Sequence, residues 1–151
     1  MTTIPANGRP AADPAGGRLL VHIDRASCLR LLGTAAVGRL VFTVRALPEI
    51  YPVNFALFEG SVVIRVADTS RAVAGALDTV VAFQADRIDA ETRTGWSVTV
   101  VGRSGEILDA GERRRVLALP LEPWAGGPRD RLLRIPLDRV TGRRLVVPPI
   151  P

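Results

Sequence analysis

Lysine is absent from the chain: all 20 basic residues among its 151 are arginine. Gly, Pro, Ala and Val are abundant, a pattern that matches GC-rich codon usage. The net charge of +5 therefore has two readings, codon composition or an affinity for nucleic acid or an anionic ligand. Apart from Arg113-Arg114-Arg115, no arginine block and no surface helix interleaving Arg with aromatics is present, so a nucleic-acid partner is not expected. Cysteine occurs once, at Cys28, which excludes an intramolecular disulfide and fits a reducing compartment. Histidine also occurs once, at His22. With no second His or Cys at ligand spacing, neither a zinc site nor a Ser-His-Asp triad is expected. No apolar run approaches the ~20 residues needed to cross a bilayer. The N-terminus lacks the apolar centre of a signal peptide, so a cytoplasmic protein is expected.

A chain of this length, 47% hydrophobic, is expected to form one domain with a substantial core. Residues 1–17 are rich in Pro, Gly, Ala and Thr and read as a disordered tail. Residues 148–151, Pro-Pro-Ile-Pro, cannot continue a sheet, which leaves 18–147 as the domain. Residues 19–23 form a short apolar lead-in. Asp24 then caps a helix with Ala26, Leu29 and Leu32 on one stripe and Cys28 and Leu31 beside it, ending at Gly33. Residues 37–44, dense in β-branched side chains, read as a strand, and 47–49 as the turn that follows.

Residues 51–71 carry the most information. The span 51–58 is β-prone, Glu59-Gly60 makes a turn, and 61–66 is a second strand ending near Arg65. Thr69 or Ser70 can cap a short helix that begins at Arg71 and turns Val73, Ala74 and Leu77 inward. Two guanidinium groups, two hydroxyls and a helix start in so short a span suit a phosphate. The same residues also suit a surface hairpin with solvated arginines.

Further on, residues 79–88 and 95–103 alternate as strands, the second with Trp96, Val98 and Val100 on one face. Asp109 caps a helix to Leu117, with Glu112 placed for a capping box and the arginine triplet on a solvated face. Residues 120–129 form a Pro/Gly loop carrying Trp124. Two last strands follow at 130–137 and 143–147. The tally is mainly β with short helices (α+β): about six antiparallel strands, whose edges must close into a small barrel.

The segments VGRLVF, YPVNF, TSR, VVAFQADRID, GWSVTVVGR, PWAGGPRD and LLRIPLDRVTGRR, in this order, resemble the pyridoxamine 5′-phosphate oxidase-like group. Its fold is a flavin-binding split barrel. The likeness runs from about Arg18 to Arg144 and is greatest to the actinobacterial branch that includes relatives of nitroimidazole-resistance proteins. It implies a homodimer with flavin at the subunit interface. The cofactor would be FMN or, in some relatives, a deazaflavin, and the activity hydride or electron transfer to a small acceptor. It implies that Arg65, Ser70 and Arg71 hold the flavin phosphate and that the main chain of Pro52, Val53 and Asn54 lies along the isoalloxazine edge. Trp96, Ser97 and Trp124 match retained motifs near the flavin or the dimer seam. This chain departs from the family pattern in three places. Thr69-Ser70-Arg71-Ala72 stands for a Gly-Ser/Thr-Lys-Leu run, Gln84 for an acidic residue, and Val66 for a hydroxyl residue. No residue stands out as a general acid or base. A non-catalytic flavin or haem module is the competing expectation, with His22 as its haem-ligand candidate.

Overall fold

The computed structural model describes residues 17–149, so all but Gly17 of the expected tail lies outside the described residues. In chain order the elements are β1 (Leu19–Ile23), α1 (Arg25–Leu32), β2 (Val37–Val44), β3 (Leu47–Phe58), β4 (Ser61–Val66), α2 (Arg71–Ala76), β5 (Val80–Asp89), β6 (Thr94–Arg103), β7 (Gly105–Glu106), α3 (Ala110–Leu117), β8 (Arg131–Pro136) and β9 (Arg139–Val146). The strands form one sheet in the order β1-β9-β6-β5-β2-β3-β4-β8-β7. Every pairing is antiparallel.

Two features turn this sheet into a split barrel. First, β3 changes partner along its length: residues 47–54 pair with β2, and 55–58 pair with β4. Second, β6 and β8 approach without a hydrogen-bonded ladder. A Cβ on Gly102 of β6 would lie 2.7 Å from the carbonyl oxygen of Pro136 at the end of β8. The barrel is therefore closed by packing on that side. Between residues 47 and 54, β3 has β2 as its one ladder partner. Pro48 and Pro52, which lack an N–H, are tolerated along that unpaired edge.

Alternation fills the interior. Leu40 and Phe42 of β2, Val81 and Phe83 of β5, and Val98 and Val100 of β6 are buried together with Ile64, Leu133 and Ile135. Phe55 meets Phe83 edge to face at 4.7 Å between ring centres. Cys28 and Leu32 of α1 and Ala72 and Ala76 of α2 join the same buried cluster. Residues Ser61, Val62, Val63 and Ile64 of β4 are all buried, because the strand is covered on both faces. Val62 and Ile64 face the barrel, while Val63 packs with Ile107, Val116, Leu121 and Leu132 beneath α3.

Several expectations are corrected at this level. The turn between β2 and β3 lies at Arg45-Ala46, both in the left-handed region (φ 50° and 64°), and β3 already begins at Leu47, inside the expected turn. β9 begins at Arg139 instead of Arg143. On α2 the buried residues are Ala72, Gly75 and Ala76, and Ala74 is exposed. This six-residue helix approaches β2 so closely that a Cβ on Gly75 would sit 2.5 Å from Val44 Cγ2, so small residues line the contact. Ala26 of α1 is exposed, and the helix buries Cys28 and Leu32. The arginine triplet is not uniformly solvated: Arg113 is half-buried and donates to the carbonyls of Ile107 (3.1 Å) and Asp130 (2.7 Å). The capping box is half formed. Asp109 accepts from the N–H groups of Gly111 and Glu112, whereas the Glu112 carboxylate pairs with Arg134.

Candidate functional site

The unpaired edge of β3 opens onto a cleft of about 340 Å³ lined by Tyr51, Pro52, Val53, Asn54, Arg65, Val66, Ser70, Ala72, Leu121, Pro123, Ala125 and Arg129. That volume lies near the low end of the ~300–1,000 Å³ usual for small-molecule sites. Four segments meet here: the edge of β3, the end of β4, the start of α2 and the loop over residues 118–130.

Local chemistry sets each wall. Ser70 is the N-cap of α2, and its Oγ accepts from the Ala72 N–H at 2.9 Å. That bond uses a lone pair and leaves the hydroxyl proton free to donate. The turn before Ser70 is held by Arg131, whose guanidinium bonds Asp68 at 2.6 Å and both carboxylate oxygens of Glu106 at 2.5 and 2.8 Å. Hydrogen bonds to Glu106 first and Asp68 second push the Arg131 pKa up. Tyr51 is oriented by an edge-to-face contact with Phe42, 5.1 Å between ring centres.

The loop is anchored at three points. Leu121 is buried beneath α3. Trp124 N–H donates to Asn54 Oδ1 at 2.9 Å, while Asn54 Nδ2 donates to the Ala36 carbonyl at 3.4 Å. Arg65 Nε donates to the Arg129 carbonyl at 3.2 Å. Residues alternate across the loop. Leu121, Pro123, Ala125 and Arg129 line the cleft, whereas Pro120, Glu122 and Trp124 line a second hollow on the far side. Asn54 borders both.

The predicted residues divide accordingly. Pro52, Val53, Asn54, Arg65 and Ser70 come together in the cleft. Arg71 follows directly, but its guanidinium bonds Glu49 of β3, through Nε at 2.8 Å and also through Nη2. Hydrogen bonding and charge from Glu49 raise its pKa. Trp124 stands on the far side of the loop, 77% exposed. Trp96 and Ser97 lie elsewhere, on β6 beside Gly95, Leu145 and Arg143, with Trp96 largely buried in the core. Gln84 is bonded to Arg39 (3.0 Å) and Asp86 (2.7 Å) on the outer face of the sheet. Arg129 was not singled out from the sequence, although it lies inside the PWAGGPRD segment. The signal was its place in that segment, without anything local to mark its role.

The donor set suits an anion. Arg65 and Arg129 are half-buried and line one cleft. Among the described residues neither has a carboxylate within 4.0 Å. Their side-chain bonds to protein run through Nε to carbonyls, so the Nη groups remain as donors. Among the described residues no three His, Cys, Asp or Glu side chains are grouped as a metal site, and no helix is long and apolar enough to cross a membrane.

Residues 24–144 match the family model described as pyridoxamine 5′-phosphate oxidase. The chain belongs to this family. The uncharacterized protein Rv0080 of Mycobacterium tuberculosis is 40% identical over 144 residues, which is 92% of this chain and 94% of that protein. Among solved structures, the FAD-binding protein of Mycobacterium smegmatis superposes with a TM-score of 0.72 at 31% identity, covering 83% of this chain and 98% of the other. A candidate 5-nitroimidazole antibiotic resistance protein of Bacteroides thetaiotaomicron superposes with a TM-score of 0.66, covering 85% and 89% of the two chains. At 15% identity it shares the fold alone. The split-barrel expectation and the family expectation are both met.

Proposed function

We propose that this family member is a flavin-binding oxidoreductase whose cofactor phosphate lies in the cleft between β3 and the 118–130 loop. The observation that carries the reading is the pairing of an uncompensated, half-buried Arg65 with the unpaired main-chain edge at Pro52–Asn54 in one cleft. A guanidinium grips phosphate oxygens with paired, charge-assisted donors, and the Ser70 hydroxyl adds a neutral one. The exposed β3 edge offers main-chain groups along which the rim of a flat ring can lie. Val66 and Leu121 make the adjoining wall apolar and limit water. Bound flavin would supply hydride and electron transfer, and this chain's residues would hold and orient the ring and shield it. The cofactor is proposed as FMN. FAD, which the M. smegmatis relative binds, and a deazaflavin are the other phosphate-bearing choices.

The molecule is proposed to act as a homodimer. Ile50 and Val80 are 62% exposed and Leu47 66% around the β2–β3–β5 region, and covering this surface by a second copy would remove it from water. A second copy is also how Trp96 and Ser97 would come near a flavin.

The deciding experiment is an absorbance spectrum of the purified protein, followed by titration with FMN, FAD and a deazaflavin, with Arg65→Ala in parallel. Micromolar or tighter binding that Arg65→Ala weakens at least tenfold supports the reading. An absence of affinity for every one of these cofactors at tens of micromolar refutes it. Binding without turnover on any nicotinamide would refute the oxidoreductase part and leave a binding module.

A further inference from the structure

We infer that the anion in this cleft is clamped by Arg65 and Arg129, and that Glu49 holds Arg71 out of the site. The inference rests on the proposed placement of the cofactor phosphate. Its grounds are the partners of three arginines. Arg71 is adjacent to Ser70 in sequence, yet its guanidinium is committed to the Glu49 carboxylate through two nitrogens. Moving it onto a phosphate would break a charge-assisted pair and leave Glu49, itself only 20% exposed in its side chain, without a partner. Arg129 enters the cleft from the 118–130 loop. Its main-chain carbonyl accepts from Arg65 Nε, so the two residues are directly joined. Its own Nε is held by the Ala125 carbonyl at 3.3 Å, which orients the head without neutralising it. Two like charges line this one half-buried cleft, and an anion bound between them offsets their repulsion. The loop therefore contributes charge as well as shape to the site, and closing it on Asn54 and Arg65 completes the clamp.

The test compares FMN with riboflavin, which differ by the phosphate alone. The ratio of riboflavin Kd to FMN Kd isolates the phosphate grip, because a loosened loop would weaken both ligands alike. Arg129→Ala should lower that ratio about tenfold or more, the scale of a charge-assisted pair. Arg71→Ala should leave it within about twofold, since that side chain is otherwise engaged. Arg129→Lys should recover part of the loss, as a point charge replaces a fork. A fall in the ratio for Arg71→Ala with none for Arg129→Ala overturns the assignment, as does a rise of both Kd values in Arg129→Ala at constant ratio. If wild type binds no flavin, the proposed function fails. The clamp is then read by stabilisation of wild type in inorganic pyrophosphate: loss of that stabilisation in Arg129→Ala but not in Arg71→Ala upholds it, and no stabilisation of wild type overturns it too.

Discussion

Gly38→Ala should destabilise the fold and weaken the cleft together. Gly38 sits in β2 with Val53 of the cleft wall opposite it. A Cβ there would run into Phe83 Cζ, its nearest neighbour, and stand 2.5 Å from Phe83 Cε2 and 2.9 Å from the Gln84 carbonyl oxygen. Carbon pairs rest at about 3.5–4.0 Å, so the ring must retreat by ~1.5 Å. It has little room to do so. Phe83 is completely buried and lies edge-on to Phe55, and the Gln84 oxygen belongs to the adjoining strand. Overpacking of this kind costs about 1–3 kcal/mol, and the tightness of both contacts argues for the upper end. Removing a glycine from the unfolded chain returns about 0.4–1 kcal/mol. The net loss is ~2 kcal/mol, or a fall in Tm of about 4–8 °C for a domain of this size.

Urea and thermal unfolding followed by far-UV circular dichroism measure it. Adding Phe83→Leu to Gly38→Ala should relieve the clash, so the double variant should be more stable than the sum of its parts by about 1 kcal/mol or more. Unchanged stability for Gly38→Ala, or strict additivity with Phe83→Leu, would refute the packing argument. The same variant should bind flavin less tightly, because the β2–β3 ladder carries the displacement to Val53.

Other outcomes follow from particular contacts. Asn54→Ala removes the acceptor for Trp124 N–H, a bond of about 1 kcal/mol, so amide exchange at Trp124 should accelerate roughly fivefold, with Asn54→Asp restoring protection. Cys28 is fully buried, and desolvation first and the nearby Asp24 charge second push its thiol pKa up. Native protein should resist a thiol reagent at neutral pH until it unfolds, and rapid native-state labelling would contradict the packing of α1. The Asp24 carboxyl is held below its ordinary value by the Ser27 N–H and hydroxyl. A depressed folded pKa means stability that is present above the unfolded value near pH 4 and lost as pH falls through the folded value. Asp24→Asn keeps a capping oxygen but cannot titrate, so its Tm should fall less than that of wild type on going from pH 5 to pH 2.5.

What the sequence revealed was what short range determines. Glu59-Gly60 announces its turn because Gly60 accepts a left-handed conformation freely, and the structure has φ 73° there. Arg45-Ala46 announces nothing, and the left-handed turn is imposed on it by pairing: once Val41 faces Ile50 and Val44 faces Leu47, these two residues are all that remain to reverse the chain. On α2 the expected inward residues Val73 and Leu77 do pack against the core, but Ala74 is exposed and the fully buried positions are others. Six residues are too few for a hydrophobic period to be read. Close approach to Phe42 and Val44 selects small Ala72, Gly75 and Ala76 for the tightest contact, while Val73 and Leu77 pack at its margin. Adjacent arginines suggest a charged, solvated face for Arg113, yet the carbonyls of Ile107 and Asp130 need donors and the helix supplies one.

The cleft shows the same division at the level of charge. Arg65, Ser70 and Arg71 are neighbours along the chain, so a reading by sequence groups them around one phosphate. Folding regroups them. The register of β3 carries Glu49 to Arg71, and opposite charges at that distance pair where each has lost part of its water. The 118–130 loop brings Arg129 to Arg65 across 64 positions of sequence, and no local pattern encodes that meeting. Among the described residues the arginines are largely spent on internal bonds, with Arg39, Arg103, Arg115, Arg131 and Arg134 facing carboxylates and Arg25 and Arg113 capping carbonyls. Net charge read from composition therefore overstates the charge available to a ligand. What no carboxylate compensates at the cleft is the Arg65–Arg129 pair, and under the proposed function it is the geometry of that pair, more than the total of +5, that would decide where an anion is held.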